Sequence, residues 1–219
     1  MAKILCIETA TTNCSVSVAI DGKLIALKEN SGSYSHAEKL HLFIEEAMKK
    51  ASLNLKELDA IAISKGPGSY TGLRIGVSAA KGLCFSLDKP LISVSTLVSL
   101  SKQISPKQNE FIVPMLDARR MEVYSAIFDH QGNQIREIQA EVLNETSFLE
   151  YLEKGKVHFI GDGVEKFKTV QSHANAVFWD GKLPSSKEMA TIAEEKFHRS
   201  DFEDVAYFEP FYLKDFVGG

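Results

Sequence analysis

A glycine-rich junction is the stretch whose residue types and spacing could do chemistry. Residues 61–63 form a short apolar run, Gly66-Pro67-Gly68 interrupt it, and a helix-like segment begins near Ser69. At such a strand–glycine–helix junction, unpaired backbone N–H groups and the positive end of the helix dipole converge. The spacing therefore predicts a turn that could hold an anion such as a phosphate.

The segment after this junction carries almost no charge. Between residues 71 and 86 the only charged side chains are Arg74 and Lys81, and small residues recur three, four and seven apart, as Gly72, Gly76, Ala79 and Ala80. Glycine in a helix costs up to about 1 kcal/mol relative to alanine, so close backbone approach should compensate for it. Two interpretations stay open: a helix buried in its own domain, or one covered by another chain.

The elements that must position these residues follow one order. Strands are predicted at residues 3–9, 15–20 and 24–27, then a helix capped by Ser35 and Glu38, then strand 61–63, the uncharged helix, strand 91–94 and a helix at 96–103. The polar residues 105–109 break both periodicities. This first series reads βββαβαβα.

The same order begins again after the break. Strands are predicted at residues 111–116, 122–128 and 134–142, followed by a helix at 145–152, a strand at 157–160, a helix after Gly163, a strand at 176–179 and a helix capped by Ser185 and Glu188. This repeat predicts an α/β fold of the actin, hexokinase and Hsp70 type, with two lobes. We expect a first domain at residues 1–104 and a second, reduced one at 105–219, because the second set of helices is shorter.

The first hairpin turn of each half and the glycine turn after the strand at residues 157–160 are candidates for a nucleotide cleft. Thr11, Thr12 and Asn13 form the first turn; Gly161, Asp162 and Gly163 resemble a phosphate-binding turn in the second half, although this tripeptide is common. Asp117, Arg119 and Arg120 could contact a phosphate or hold their own turn through an ion pair. Glu8 could orient the first loop, and we assign it no catalytic role.

Composition excludes some classes of function. The net charge of −4 over 219 residues argues against a free-standing nucleic-acid binder, so we expect any RNA contact to need the positive surface of a partner. The three cysteines show no CxxC spacing and are typical of a reducing compartment. With no signal peptide or membrane span visible, we expect a cytoplasmic protein.

The residues also resemble a known family from end to end. The runs IETATTNCSVSVAIDG, SHAEKL, SKGPGSYTGLRIGVSAAKGL and DKPLISVSTL are similar to the first half of the TsaB (YeaZ) family, and DARRMEVYSAIF, FIGDG and EPFYLK are similar to its second half. This family supplies a partner subunit of the bacterial machinery that makes threonylcarbamoyladenosine at position 37 of tRNA. The glycine-helix run is the most specific part of the resemblance.

Comparison with the catalytic relative in that machinery, TsaD, decides what the resemblance implies about chemistry. That relative carries two metal-binding histidines four residues apart, at positions that correspond here to Thr96 and Leu100. Leucine cannot bind a metal, and a lone threonine hydroxyl makes a poor site. The relative also has acids where this chain has Thr12 and Asn13. We therefore expect no metal and no catalytic residue.

The resemblance implies a non-catalytic scaffold that pairs with TsaD, reaches the ATPase TsaE through the complex, and forms a homodimer when alone. We predict ten interface residues: His41, Tyr70, Thr71, Gly72, Leu73, Arg74, Gly76, Val77, Ala79 and Ala80. The chain should need no cofactor of its own, and ATP or ADP could bind at the shared interface. The alternatives left open are an active ATP-dependent kinase or ATPase of the actin-like class, and a metallopeptidase.

Overall fold

The chain divides into two compact units. In the computed structural model, which describes residues 1–32 and 36–214, unit 1 comprises Met1–Ser99 with Pro184–Gly219, and unit 2 comprises Leu100–Leu183. The first boundary lies close to the predicted one at residue 104. The second boundary, before Pro184, has no counterpart in the prediction, which assigned all of residues 105–219 to the second domain.

Unit 1 is built on a five-stranded mixed sheet. Its strands are β1 (Lys3–Glu8), β2 (Cys14–Ile20), β3 (Lys23–Asn30), β4 (Ala60–Gly66) and β5 (Leu91–Ser95), in the order β3-β2-β1-β4-β5. The first three strands form the predicted antiparallel meander, with Asp21 and Gly22 at positive φ in the connecting turn. β4 and β5 pair in parallel, as helical crossovers require.

Unit 2 repeats this arrangement with a second sheet. Its strands are β6 (Phe111–Asp117), β7 (Glu122–Phe128), β8 (Gln134–Val142), β9 (Val157–Ile160) and β10 (Ala176–Trp179), in the order β10-β9-β6-β7-β8. The first strand of each unit thus lies centrally, antiparallel to the second strand and parallel to the fourth. The predicted duplication of the actin-like fold is confirmed.

The helices differ in length between the two units. They are α1 (His36–Lys50), α2 (Tyr70–Leu87), α3 (Thr96–Ser101), α4 (Leu149–Leu152), α5 (Val164–Lys168) and α6 (Met189–His198). The helix predicted at residues 145–152 begins only at Leu149, because Phe148 before it has a left-handed backbone. The predicted cap Ser35 lies outside the described residues. Among the residues that the structure describes, no helix is long and apolar enough to span a membrane.

The position of α6 explains why the chain returns to unit 1 after Pro184, in contrast to the predicted second domain at residues 105–219. Alternate residues of a strand point to opposite faces of its sheet. Leu5 and Ile7 of β1 pack with α1 and α2, whereas Ile4 and Cys6 share a cluster with Met189 and other apolar residues of α6. Without the segment after Pro184, one face of the first sheet would be exposed to water, so hydrophobic burial draws this segment back to unit 1.

Candidate partner-binding surface

The glycine junction is closed by the chain itself. Ser69 caps α2, since its Oγ accepts a hydrogen bond from the Gly72 N–H at 3.3 Å. The Ser69 N–H donates to the carbonyl oxygen of Ala10 at 2.7 Å, and a Cβ built on Gly68 would lie 2.5 Å from that same oxygen. The carbonyl oxygen of Ala10 thus occupies the place where an anion would have to bind, and its partial negative charge would repel one.

The small-residue strip of α2 faces its own sheet. A Cβ on Gly72 would lie 2.2 Å from the carbonyl oxygen of Thr9, and one on Gly76 would lie 2.2 Å from Thr9 Oγ1. Side chains at these positions would overlap the loop after β1, so the two glycines let the helix approach it. The prediction that a second subunit covers the strip Gly72, Gly76, Ala79 and Ala80 is wrong for Gly72, Gly76 and Ala80, which are buried inside unit 1, whereas Ala79 is half-buried.

The ten predicted interface residues therefore separate into two groups. Five are buried in the chain's own core and cannot contact a partner, namely Gly72, Leu73, Gly76, Val77 and Ala80. The other five reach the surface at least in part: His41, Thr71 and Arg74 are exposed, while Tyr70 and Ala79 are half-buried. The prediction that α2 takes part in an interface can therefore apply only to the outer side of this helix.

The outer side of α2 forms an open groove with α1. We call it the α1–α2 groove: it encloses about 580 Å³ and is lined by Ala37, His41, Arg74, Ile75, Ser78, Ala79, Gly82 and Leu83. Around Gly82 the structure leaves open space, since a Cβ there would meet nothing within 4 Å. The groove is thus lined mainly by small and apolar residues, and Arg74 places a positive charge at its edge.

Phe85 extends the exposed side of α2 beyond the groove. Its side chain is 86% exposed, although transfer of a phenylalanine side chain out of water is favourable. The exposed positions Arg74, Ser78, Gly82 and Phe85 follow one another at spacings of four, four and three, which places them along one side of a helix. This spacing, on a segment with two charges, is the sequence signal that could have identified the outer side.

Lys81, the second charge of α2, is used to hold the C-terminal segment. Its Nζ donates to the carbonyl oxygens of Ala206 at 3.1 Å and Phe208 at 2.9 Å. Further along, the ring of Tyr212 lies 4.7 Å from that of Tyr70 between centroids, and its hydroxyl accepts from Arg74 Nε at 3.3 Å. The segment from Ala206 to Tyr212 therefore packs on unit 1 and reaches the start of α2, beside the groove.

The first candidate nucleotide turn is also occupied by internal contacts. Asn13 is buried and its Nδ2 donates to the carbonyl oxygen of Pro184 at 2.9 Å. His36 Nε2 donates to the carbonyl oxygen of Thr11 at 2.7 Å. Thr11 is buried as well, which leaves Thr12 as the accessible side chain of the predicted trio. These residues hold the turn against α1 and the C-terminal segment.

Glu8, the last residue of β1, holds the start of this turn through hydrogen bonds. Its Oε1 accepts hydrogen bonds from the Ala10 N–H at 2.6 Å and from Ser64 Oγ at 2.7 Å. Complete burial raises the pKa of Glu8 to about 7, and the negative charge of Glu188 contributes to the increase. The carboxyl group is a buried structural element, as its position at the end of β1 suggested.

The candidate residues of the second half lie together in unit 2. Asp162 Oδ1 accepts from the Asp117 N–H at 2.8 Å, so the turn after β9 is tied to the end of β6. Gly161 has a φ of +118°, and a Cβ there would lie 2.1 Å from the carbonyl oxygen of Met115. A Cβ on Gly163 would lie 2.8 Å from Val123. Both glycines thus serve the packing of this turn against the second sheet.

The two positions aligned with the relative's metal ligands lie in α3. Leu100 is fully buried, and Thr96 is buried with its hydroxyl inside the protein. Within residues 1–32 and 36–214, no three His, Cys, Asp or Glu side chains come together as a metal-binding group.

The chain is similar to known proteins over nearly its whole length. The profile of the family described as TsaD, tRNA N6-adenosine threonylcarbamoyltransferase, matches residues 30–217. The Escherichia coli K12 protein described as tRNA threonylcarbamoyladenosine biosynthesis protein TsaB is 30% identical over 223 residues, which cover 98% of this chain and 96% of that protein.

Solved structures show the same fold. An uncharacterised Pseudomonas aeruginosa protein, described as similar to the peptidase YeaZ, superposes with a TM-score of 0.83 at 26% identity, covering 98% of this chain and all of that one. The activator of 2-hydroxyisocaproyl-CoA dehydratase from Clostridium difficile, solved with bound ADPNP, reaches a TM-score of 0.50 at 11% identity over 91% of this chain and 97% of that one. This second likeness concerns the fold alone.

Proposed function

The chain belongs to the TsaD family, within its TsaB (YeaZ) branch, and we propose that it is the scaffold subunit that pairs with the catalytic TsaD protein to support threonylcarbamoylation of tRNA adenosine 37. As a TsaB homologue it is an accessory subunit of threonylcarbamoyladenosine synthesis. The finer proposal is that it contributes a surface to this reaction and no catalytic group.

The observation that carries the proposal is the open α1–α2 groove with Phe85 beside it. An exposed phenylalanine next to an apolar groove is typical of a surface that another protein covers. Arg74 and His41 give the groove a polar edge, as interfaces commonly have. We propose the catalytic TsaD protein as the occupant. Both chains share a family and a fold, so TsaD can supply the corresponding pair of helices as the face that covers this groove.

The absence of catalysis is supported by what occupies the candidate sites. Leu100 offers no ligand atom to a metal, and Asn13 is engaged with the backbone of Pro184. The Ala10 carbonyl oxygen closes the glycine junction against anions. An active ATP-dependent kinase or ATPase is not favoured, because the full-length relatives are described as TsaB proteins.

Three finer points belong to the proposal. Without TsaD, two copies of this chain would pair through the same groove, since related subunits present similar surfaces. The ATPase TsaE would join through the complex, in the cytoplasm where tRNA is modified. This chain would need no cofactor of its own, and ATP or ADP would bind where it meets TsaD.

Reconstituted tRNA modification tests the proposal. Purified TsaD, the remaining components of the synthesis system and an unmodified tRNA transcript are combined with and without this chain, and threonylcarbamoyladenosine is quantified by mass spectrometry. We expect product formation to depend on this chain, and this chain with TsaD omitted to give none. Full activity of TsaD without it would contradict the scaffold role. Product made by this chain without TsaD would contradict the assignment as non-catalytic.

A further inference from the structure

The turn between β6 and β7 is held without the side chains of its arginines. Asp117 Oδ1 accepts from the Arg119 N–H at 2.6 Å and from Lys166 Nζ at 2.9 Å. Lys166 Nζ also donates to the carbonyl oxygen of Glu122 at 2.9 Å. Backbone groups, one carboxylate and one lysine are therefore sufficient to fix the turn. The carboxylate of Asp117 pairs with Lys166 and not, as predicted, with the arginines of its own turn.

Arg119 and Arg120 are both exposed at the tip of this turn. Neither guanidinium makes a hydrogen bond, an ion pair or a ring contact with any residue that the structure describes. The chain's other three arginines are engaged: Arg74 with Tyr212, Arg136 with Glu141, and Arg199 with the carbonyl oxygen of Glu195. The paired arginines of the turn thus stand apart from the rest.

The backbone of the turn is unfavourable for arginine. Arg119 has a φ of 72° and Arg120 a φ of 49°, in the left-handed region where glycine or asparagine is preferred. Strained residues of this kind persist only where the surrounding structure holds them, and functional sites are one such place. Two consecutive arginines at such positions, with unused side chains, indicate that their charge serves a ligand outside the chain.

We propose that Arg119 and Arg120 bind phosphates of the tRNA backbone. The proposal rests on the proposed function, which brings tRNA to the complex. A guanidinium matches phosphate geometry through two parallel hydrogen bonds. Since the chain as a whole carries a net charge of −4, any attraction that this chain itself adds to that of its partner has to come from local pairs such as this one.

The base of the turn argues for a backbone phosphate over an enclosed nucleotide phosphate. Two acidic residues lie there: Asp162 Oδ1 accepts from the Asp117 N–H at 2.8 Å, and Asp117 Oδ1 pairs with Lys166 Nζ at 2.9 Å. With two carboxyl groups against the single cation of Lys166, the base of the turn disfavours a phosphate that enters deeply. A phosphate that arrives from outside meets the exposed arginines first, as the backbone of a large RNA would.

The test compares two double substitutions in the complex of this chain with TsaD. R119A/R120A removes the proposed contacts. K107A/K156A removes the same charge from exposed residues that precede β6 and β9, at the opposite edge of the same sheet. Binding of an unmodified tRNA transcript is measured over a series of salt concentrations. We expect R119A/R120A to weaken binding by about three- to tenfold and to reduce the salt slope by about 1 to 2, while K107A/K156A leaves both near the parent values.

A glycine variant separates folding from binding. R119G/R120G relieves the left-handed strain, so we expect its melting temperature to equal or exceed that of the parent while tRNA binding falls as in R119A/R120A. Equal tRNA affinity and salt slope for the parent and both arginine variants would overturn the inference. The inference would also be overturned if the arginine variants lost ATP binding while their tRNA binding stayed intact. Loss of TsaD binding in R119G/R120G would overturn it as well. Formation of the TsaD complex by the parent chain is measured separately, so failure of the scaffold role is distinguishable.

Discussion

The two sides of α2 use small residues for opposite purposes. On the inner side, Gly72 and Gly76 leave no room for a Cβ, because Thr9 occupies that space. On the outer side, Gly82 has nothing within 4 Å of where its Cβ would be, and Ala79 lines the groove. The same residue type thus permits close packing within the chain on one side and leaves an accessible surface on the other.

This difference shows that a stripe of small residues does not by itself identify an interface. Glycine lowers helix stability wherever it occurs in a helix, so tight packing is one compensation and an accessible binding surface is another. The neighbours of each glycine decide between them. Substitutions on the two sides should therefore differ in kind: inner changes should affect folding, and outer changes should affect association.

Substitution of Gly76 should have the largest effect. Gly76→Arg places a long charged side chain against Thr9 and Ile63, so we expect no folded monomer. Gly76→Ala adds a Cβ that would lie 2.2 Å from Thr9 Oγ1, and should lower the free energy of unfolding by about 1–3 kcal/mol. Urea unfolding followed by circular dichroism measures both. A Gly76→Arg chain that folds like the parent but fails to associate would restore the interpretation that we rejected.

The loop after β1, against which the inner side of α2 packs, should make the stability of the protein depend on pH through Glu8. Its pKa rises from 4.5 to about 7 on folding, so the folded protein keeps a proton that the unfolded chain releases between these values. The stabilisation is complete below pH 4.5 and is lost as pH rises through 7, by up to ~3 kcal/mol. Glu8→Gln, which stays neutral, should lack this loss in urea unfolding at pH 5 and pH 8. The exposed Glu195→Gln serves as the control, and a Glu8→Gln chain with the parent's pH dependence would contradict the assignment.

Phe85 should matter only for association. Phe85→Ser removes an 86% exposed side chain, so the free energy of unfolding should change by less than ~0.5 kcal/mol. If TsaD covers this residue, its affinity should fall by about ten- to thirtyfold, as is usual for a buried aromatic anchor. Tyr207→Ser provides a matched control, because Tyr207 is 84% exposed and lies outside the groove lining. Calorimetric titration with TsaD measures both variants, and equal affinities would place the interface elsewhere.

Much of the fold could be predicted from the sequence because its signals are local. Alternating side chains and turn residues defined β7, β8, β9 and β10 with the bounds that the structure has. The duplicated strand order followed from the repeated βββαβαβα series. These features depend on neighbouring residues, which the sequence displays directly.

The rest depends on contacts between residues distant in sequence. Ser186 N–H donates to Ser15 Oγ at 3.1 Å, and Glu203 N–H donates to the carbonyl oxygen of Leu91 at 2.8 Å. Such pairs return the C-terminal segment to unit 1, and no local pattern announces them. The orientation of α2 was missed for the same reason, because both of its sides are poor in charge and only the position of Thr9 distinguishes them.

The affinity of TsaD for two arginine variants of unit 1 tests the scaffold surface most directly. Gly82→Arg fills the groove from an open position, where replacing glycine in a helix should preserve or raise monomer stability. Thr191→Arg adds the same side chain to an exposed position of α6, on the opposite face of the sheet. We predict that Gly82→Arg weakens TsaD binding at least tenfold while Thr191→Arg binds like the parent. Equal, undiminished binding by both folded variants would contradict the assignment of the α1–α2 groove as the partner-binding surface.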